Sequence, residues 1–280
     1  MTGKILKNTK IVTFITDWGE KDFYGGAVKG KLLSLVPDVS IVDISHHIEP
    51  YNINHAGYVL KNTYPHFPKG TIHIIGVDSE EYAMETDIRS HLLVKFDDHF
   101  FIGADNGIFS LLTAEEKAQY IYELTLPFDP INGQFKYIFS TRDRFVPAAA
   151  HLLNGGDPHE IGKPLAEFKK ILELQPTYTQ QYINGMVVYV DRYENAIVNI
   201  SEELFNKVSQ GRKFKILFRN HEIHEINKQY QDVYEQNIVV LFNSAGLMEI
   251  ALNKGKASSL LGLRPNDSVS IVFIDEPSAS

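Results

Sequence analysis

The 280-residue sequence predicts an α/β N-terminal domain with a mostly parallel sheet, followed by a smaller all-β C-terminal domain. Three observations carry that reading. Up to about residue 170, β-branched runs alternate with helix-like segments, the βαβ rhythm of a parallel sheet. From about residue 182 the helical pattern fades, and short strands recur between Asn, Gly and charged turns, as in a small antiparallel barrel or sandwich. Between the two lies "ILELQPTYTQQ", a segment with a proline and a polar run suited to a linker. The expected organisation is therefore an α/β domain over residues 1–170, a linker over 171–181 and a β domain over 182–280.

In chain order, "KIVTFIT" is a β-branched strand, "AVKGKLLSLVP" a helix and "SIVDIS" a second strand. "NINHAGYVLKNTYPHF" reads as a helix, and "TIHIIGVD" as a buried strand. "HLLVKF" and "HFFIGADNG" are two strands joined by the polar "DDH", and "FVPAAAHLLNGG" is a helix closed by glycine. Beyond the linker, "YINGMVVYV", "AIVNIS", "KFKILFR", "EIHEI", "NIVVLFN", "LMEIAL" and "SVSIVFI" follow as strands, and "EPSAS" ends the sequence as a frayed tail.

Composition narrows the function. A hydrophobic share of 44% with 11% aromatic residues excludes a disordered chain, and a net charge of -8 argues against a large basic footprint for nucleic acid. Zero cysteines exclude disulfides, thiolate metal sites and a cysteine nucleophile, which fits a cytoplasmic protein. No stretch approaches 18 apolar residues, so no membrane partner is expected.

Ligands of open α/β sheets bind beyond the carboxyl ends of the parallel strands, and three strands deliver a carboxylate there: Asp17, Asp43 and Asp78. Each taken alone is equally suited to a helix N-cap or a turn. There is no G-x-G-x-x-G after the first strand, no G-x-x-x-x-G-K-[ST] and no H-E-x-x-H. His46 and His47 are adjacent and would point in different directions on a strand, so no metal site is expected, and His151 in "AAAHLL" reads as a core residue.

Seven ordered blocks carry a resemblance: "TDWGEKDFYGGAVKG", "VDISHHIEP", "FPKGTIHIIGVD", "GADNGIFSLL", "RDRFVPAAAHL", "VDRYENAIVNI" and "NSAGLMEIAL". Their order, over about residues 10–272, resembles that of the S-adenosylmethionine hydroxide adenosyltransferase family, which includes fluorinases and chlorinases. The resemblance implies an enzyme in which water or an anion attacks the ribose C5′ of S-adenosylmethionine and expels methionine. S-Adenosylmethionine is then the substrate, and no cofactor is implied. The family also implies a homotrimer whose sites lie at subunit interfaces.

Residue by residue, the resemblance gives Asp17 the ribose hydroxyls, Asp22 the supporting loop or the methionine end, and Tyr51 an aromatic wall beside the sulfonium. Asp191 and Asn195 match contacts to the methionine amine and the adenine edge, Tyr193 a stacking position and Ser244 a methionine-carboxylate contact. Read from composition alone, "DRYEN" is a hairpin turn. A basic neighbour of Ser244 found in some halogenating members is Ala245 here.

For catalysis, Asp78 keeps the aspartate of the water-using branch, and Arg89 matches its arginine provided the longer loop "DSEEYAMETDI" bulges outward. The family's histidine position is Ser140, and Thr141 lies where halogenating relatives have a hydroxyl near the anion. Serine orients a water but is a poor proton acceptor, and an arginine weakens a neighbouring carboxylate as a base, so slow hydrolysis is expected. The alternatives are a protein that binds adenosine or S-adenosylmethionine without turnover, and a halide-dependent adenosyltransferase.

Overall fold

A computed structural model describes residues 10–80, 82–83, 88–113, 118–125, 139–172 and 174–274. The chain forms two compact units, residues 1–172 and 173–280.

The N-terminal unit runs β1 (Ile11–Thr16), α1 (Tyr24–Leu35), β2 (Ser40–Ser45), α2 (Ile53–Lys61) and β3 (Ile72–Gly76). A two-residue ribbon, β4 (Tyr82–Ala83) with β5 (Ile88–Arg89), precedes β6 (His91–Phe96), β7 (His99–Ala104), α3 (Ile108–Thr113) and β8 (Tyr120–Leu124). A π-helical turn over Thr141–Phe145 leads into α4 (Val146–Leu153), α5 (Pro158–Ile161) and β9 (Gly162–Pro164). The seven-stranded sheet has the order β2-β1-β3-β7-β6-β8-β9. Strands β2, β1, β3 and β7 are parallel; the remainder of the sheet is antiparallel.

The continuous apolar runs follow from this position. All five residues of β3 are buried, as are Val12 to Thr16 of β1, because helices cover both faces of the sheet. Alternate residues feed separate cores: Phe14 packs with Leu32 and Phe145 on one face, and Ile15 with Leu60 and Phe109 on the other. Full burial of each such side chain contributes about 1.5–3 kcal/mol. The β6–β7 hairpin turns through Asp97 and Asp98, both with positive φ (47° and 58°), the twist a two-residue hairpin requires.

His151 is not a core residue: it sits half-buried near the end of α4, its Nε2 3.0 Å from Asp157 O and 3.1 Å from Glu160 Oε2. The boundary between the two units, after residue 172, falls within the expected 171–181 linker. Phe168 and Ile171 pack against the N-terminal core, and β10 (Thr177–Tyr178) already pairs with the next strand. Of "DSEEYAMETDI", residues 81 and 84–87 lie outside the described residues.

The C-terminal unit contains β10, β11 (Tyr182–Val190), β12 (Ala196–Ser201), α6 (Glu202–Ser209), β13 (Lys213–Phe218) and β14 (His221–Ile223). It continues with β15 (Ile238–Phe242), β16 (Leu247–Leu252), α7 (Ala257–Leu261) and β17 (Ser268–Ile274). These strands form one antiparallel, nearly closed barrel-like sheet of order β14-β13-β17-β11-β12-β16-β15, with β10 beside β11. The first half of β11 pairs with β17 and the second half with β12, which turns the sheet through a corner. At that corner a Cβ on Gly185 would sit 2.6 Å from both Asn199 Oδ1 and Ile200 Cγ1, so only glycine fits. The interior is filled by Val187, Val198, Ile216, Phe218, Met248 and Ile271.

Helices do not vanish from this half. Ser201 accepts the amide of Leu204 at 3.1 Å and so caps α6, which starts with Glu202 and Glu203 and ends at Gln210 in the left-handed region (φ 47°).

Candidate active site

The carboxyl ends of β1 and β3 open onto a cleft of about 140 Å³, lined among others by Asp17, Trp18, Tyr51, Asp78 and Ser140. Strands β1 and β3 are direct parallel neighbours, so the two aspartates that end them share one edge. Asp17 joins the surrounding loops: its Oδ2 accepts Tyr51 N–H at 2.9 Å and Asp78 N–H at 3.3 Å. Both partners have positive φ, 63° at Tyr51 and 45° at Asp78, so the carboxylate holds two strained turns in place. Asp17 Oδ1 accepts no hydrogen bond among the described residues, which leaves it for a ligand. The Tyr51 ring is 75% exposed and forms a wall of the cleft without packing against the core.

Asp78 is paired with Arg89. Arg89 Nη1 donates to Asp78 Oδ1 at 2.8 Å and to Asp78 O at 3.2 Å, with both side chains largely buried. Asn106 draws the loop inward, donating from Nδ2 to Val77 O at 3.2 Å and to Asp78 O at 3.1 Å, while its Oδ1 accepts Ile108 N–H at the start of α3. Sequence reasoning missed Asn106, although it lies in the quoted "GADNGIFSLL".

Across the cleft, Ser140 and Thr141 open the π-helical turn, whose wide hydrogen bond runs from Val146 N–H to Thr141 O. Both are buried, and neither hydroxyl has a partner among the described residues. The indole N–H of Trp18 is likewise buried and unpartnered. Beneath them Gly76 permits close approach: a Cβ there would lie 2.9 Å from Thr141 Oγ1 and 3.1 Å from Thr16 Cγ2. Buried polar groups of this kind are rare without a partner, and three of them around one cleft mark where a ligand or water belongs. Trp18 stacks between Tyr24 and His46, and His46 is fixed by Thr16 Oγ1 at 2.6 Å. His46 is 5% exposed and His47 is 70% exposed, and no cluster able to hold a metal occurs among the described residues. Asp22 stands apart, exposed just before α1 and outside the cleft lining.

The C-terminal unit carries the other expected residues. Asp191 accepts Asn195 N–H at 2.8 Å on Oδ1 and Asn195 Nδ2 at 3.2 Å on Oδ2, so the two form a closed pair in the β11–β12 turn. Tyr193, at the tip of that turn, is 77% exposed. Ser244 is exposed in the β15–β16 turn, and the β12–β16 register puts these two turns at opposite ends of the strand pair. Between them Glu249 is buried, accepting Tyr230 O–H at 2.7 Å and Asn243 Nδ2 at 3.3 Å. Burial and the Glu249 carboxylate raise the Tyr230 phenol well above its ordinary range. No spacing in the sequence pointed to Tyr230 or Glu249.

Known proteins resemble this chain in sequence and in fold. Residues 12–162 match the N-terminal domain and residues 185–270 the C-terminal domain of the SAM hydroxide adenosyltransferase family. An (R)-S-adenosyl-L-methionine hydrolase of Methanocaldococcus jannaschii is 29% identical over 94% of this chain and 96% of its own length. A second hydrolase of the same name, from Thermus thermophilus, is 28% identical over 90% of this chain and 96% of its own length. A fluorinase of Nocardia brasiliensis is 24% identical over 93% of this chain and 96% of its own. Among solved structures, an uncharacterized conserved protein from Thermotoga maritima superposes with a TM-score of 0.83 at 30% identity, covering 93% of this chain and 99% of that one. With both domain matches in order along the chain, this protein belongs to the SAM hydroxide adenosyltransferase family.

Proposed function

We propose that the protein hydrolyses S-adenosylmethionine to adenosine and methionine by attack of water at the ribose C5′. The observation that carries this reading is the Asp78–Arg89 pair, 2.8 Å apart, at a cleft that Asp17 and Ser140 also line. The hydrolase relatives at 26–29% identity over nearly the whole chain support the same chemistry.

In this reading Asp17 Oδ1 receives the ribose hydroxyls, and the exposed Tyr51 ring lies along the sulfonium. The Ser140 hydroxyl orients the water, and the Asp78 oxygen not engaged by Arg89 takes its proton as the O–C5′ bond forms. The C5′–S bond breaks at the same time, and its electron pair returns to sulfur, so methionine leaves as a neutral thioether. Because the leaving group needs no proton, positioning and exclusion of other solvent supply most of the rate. Ser140 in place of a base makes turnover slow, since a positioned acid or base is worth about 10²- to 10⁴-fold.

Asp191, Tyr193, Asn195 and Ser244 are proposed to meet the adenine and methionine of a substrate held by a neighbouring copy, in a homotrimer. Thr141 is proposed to line the nucleophile's end, and Asp22 to support the entrance loop. No cofactor enters the scheme, and the cytoplasmic setting expected from zero cysteines is part of the proposal.

The test is to incubate purified protein with S-adenosylmethionine, follow adenosine by chromatography, and run Asp78→Asn beside it. Adenosine from the wild type and at least about 100-fold less from the variant supports hydrolysis. A second reading, binding without turnover, is favoured by the hydroxyl at Ser140. Tight adenosine binding with equal inertness of both proteins would establish it.

A further inference from the structure

The π-helical turn that presents Ser140 and Thr141 also carries Arg144, a buried cation. Its Nη2 donates to Leu124 O at 2.7 Å, and its Nη1 meets His91 Nδ1 at 3.1 Å. A guanidinium can only donate, so His91 Nδ1 must offer its lone pair, and the ring proton sits on Nε2. That Nε2–H donates to Ser79 O at 3.0 Å, in the residue after Asp78. His91 is fully buried, and Phe145 packs edge-on against it with ring centroids 4.8 Å apart. With one nitrogen accepting from Arg144 and the other donating to Ser79, the imidazole serves as a strut and not as a base.

We propose that Arg144 and His91 are positioning residues for the reaction: together they fix the Asp78 loop against the turn that carries Ser140. The inference rests on the hydrolytic reading for its effect on rate, but the brace itself stands on geometry. Asp78 has a φ of 45°, a conformation a non-glycine residue keeps only where its surroundings hold it. Asp17 grips its amide, Asn106 and Arg89 its carbonyl, and the His91 strut holds the next carbonyl. The strut also ties the turn that begins at Ser140 to Ser79, and Ser140 and Ser79 both line the cleft. His91 is two residues beyond Arg89, so loosening it releases both members of the Asp78–Arg89 pair.

The test uses the full-length double variant His91→Leu/Arg144→Met, which removes the buried cation together with the imidazole it donates to. His91→Gln, able to donate and accept, runs beside it. Two readouts are taken: the kcat and KM for S-adenosylmethionine, and amide hydrogen exchange at Asp78 and Ser79. The expected result for the double variant is exchange at these amides faster by about tenfold or more, with exchange in β1 unchanged. Its kcat should fall by about tenfold or more while KM stays within about threefold, the signature of lost positioning. His91→Gln should recover most of both. Unchanged exchange, faster exchange with wild-type kcat, or failure of the double variant to fold would each overturn the proposal. If the wild type itself yields no adenosine, the hydrolytic reading falls, while the exchange measurement still decides whether the brace exists.

Discussion

Acid should destabilise the N-terminal unit in part through a buried histidine, His73. His73 on β3 is fully buried, with Thr13 Oγ1 2.7 Å from its Nδ1 and His99 Nδ1 3.1 Å from its Nε2. Burial, and secondarily the neighbouring His99, push its imidazole down to about 3 from an ordinary 6.5. Because the folded value lies below the unfolded one, the unfolded chain binds the extra proton between them. His73 therefore costs nothing above pH 6.5, and stability is lost as pH falls from there toward 3. At pH 5 the gap from the unfolded value is about 1.5 pH units, which at about 1.36 kcal/mol per unit amounts to about 2 kcal/mol. That figure is insensitive to the folded value as long as the latter stays under about 4. The assay is urea unfolding at pH 7 and pH 5, read from the fluorescence of Trp18, the sole tryptophan, which reports the N-terminal unit. His73→Gln keeps a neutral hydrogen-bonding group and should shrink the difference between the two pH values by about 2 kcal/mol. Equal pH dependence in wild type and variant would refute the reasoning.

Further expectations concern the cleft. Asp17→Ala removes the acceptor of two loop amides and the proposed ribose ligand; adenosine affinity by calorimetry should fall by about 10- to 100-fold, the worth of charge-assisted hydrogen bonds. Asn106→Ala frees the Val77 and Asp78 carbonyls and should lower kcat more than it raises KM, read by steady-state adenosine release. Gly76→Ala forces a Cβ against Thr141 and Thr16 and should cost about 1–3 kcal/mol in urea unfolding followed by Trp18.

What the sequence disclosed depended on how local the cause was. The β1 and β3 runs are apolar throughout because both of their faces are covered, so their ends, and hence Asp17 and Asp78, could be read directly. Arg89 was reachable through the order of blocks alone, with no local pattern behind it. The α6 helix was legible and was missed: Ser201, Glu202, Glu203 and the closing Gln210–Gly211 form a capping pattern overshadowed by the surrounding strands. The π-helical turn was not legible, since one extra residue per turn leaves no mark in a short run such as "STRDRF". Nor were Tyr230 with Glu249 or Arg144 with His91, because pairs 19 and 53 residues apart meet only through the fold.

The central claim is that water attacks the ribose carbon. The most direct measurement is to run the reaction in ¹⁸O-enriched water and analyse the adenosine by mass spectrometry. Hydrolysis at C5′ predicts one ¹⁸O in the 5′-hydroxyl of each adenosine formed, with methionine released in equal amount and unlabelled. Adenosine without the label, or no adenosine at all from active-folded protein saturated with S-adenosylmethionine, would contradict the account.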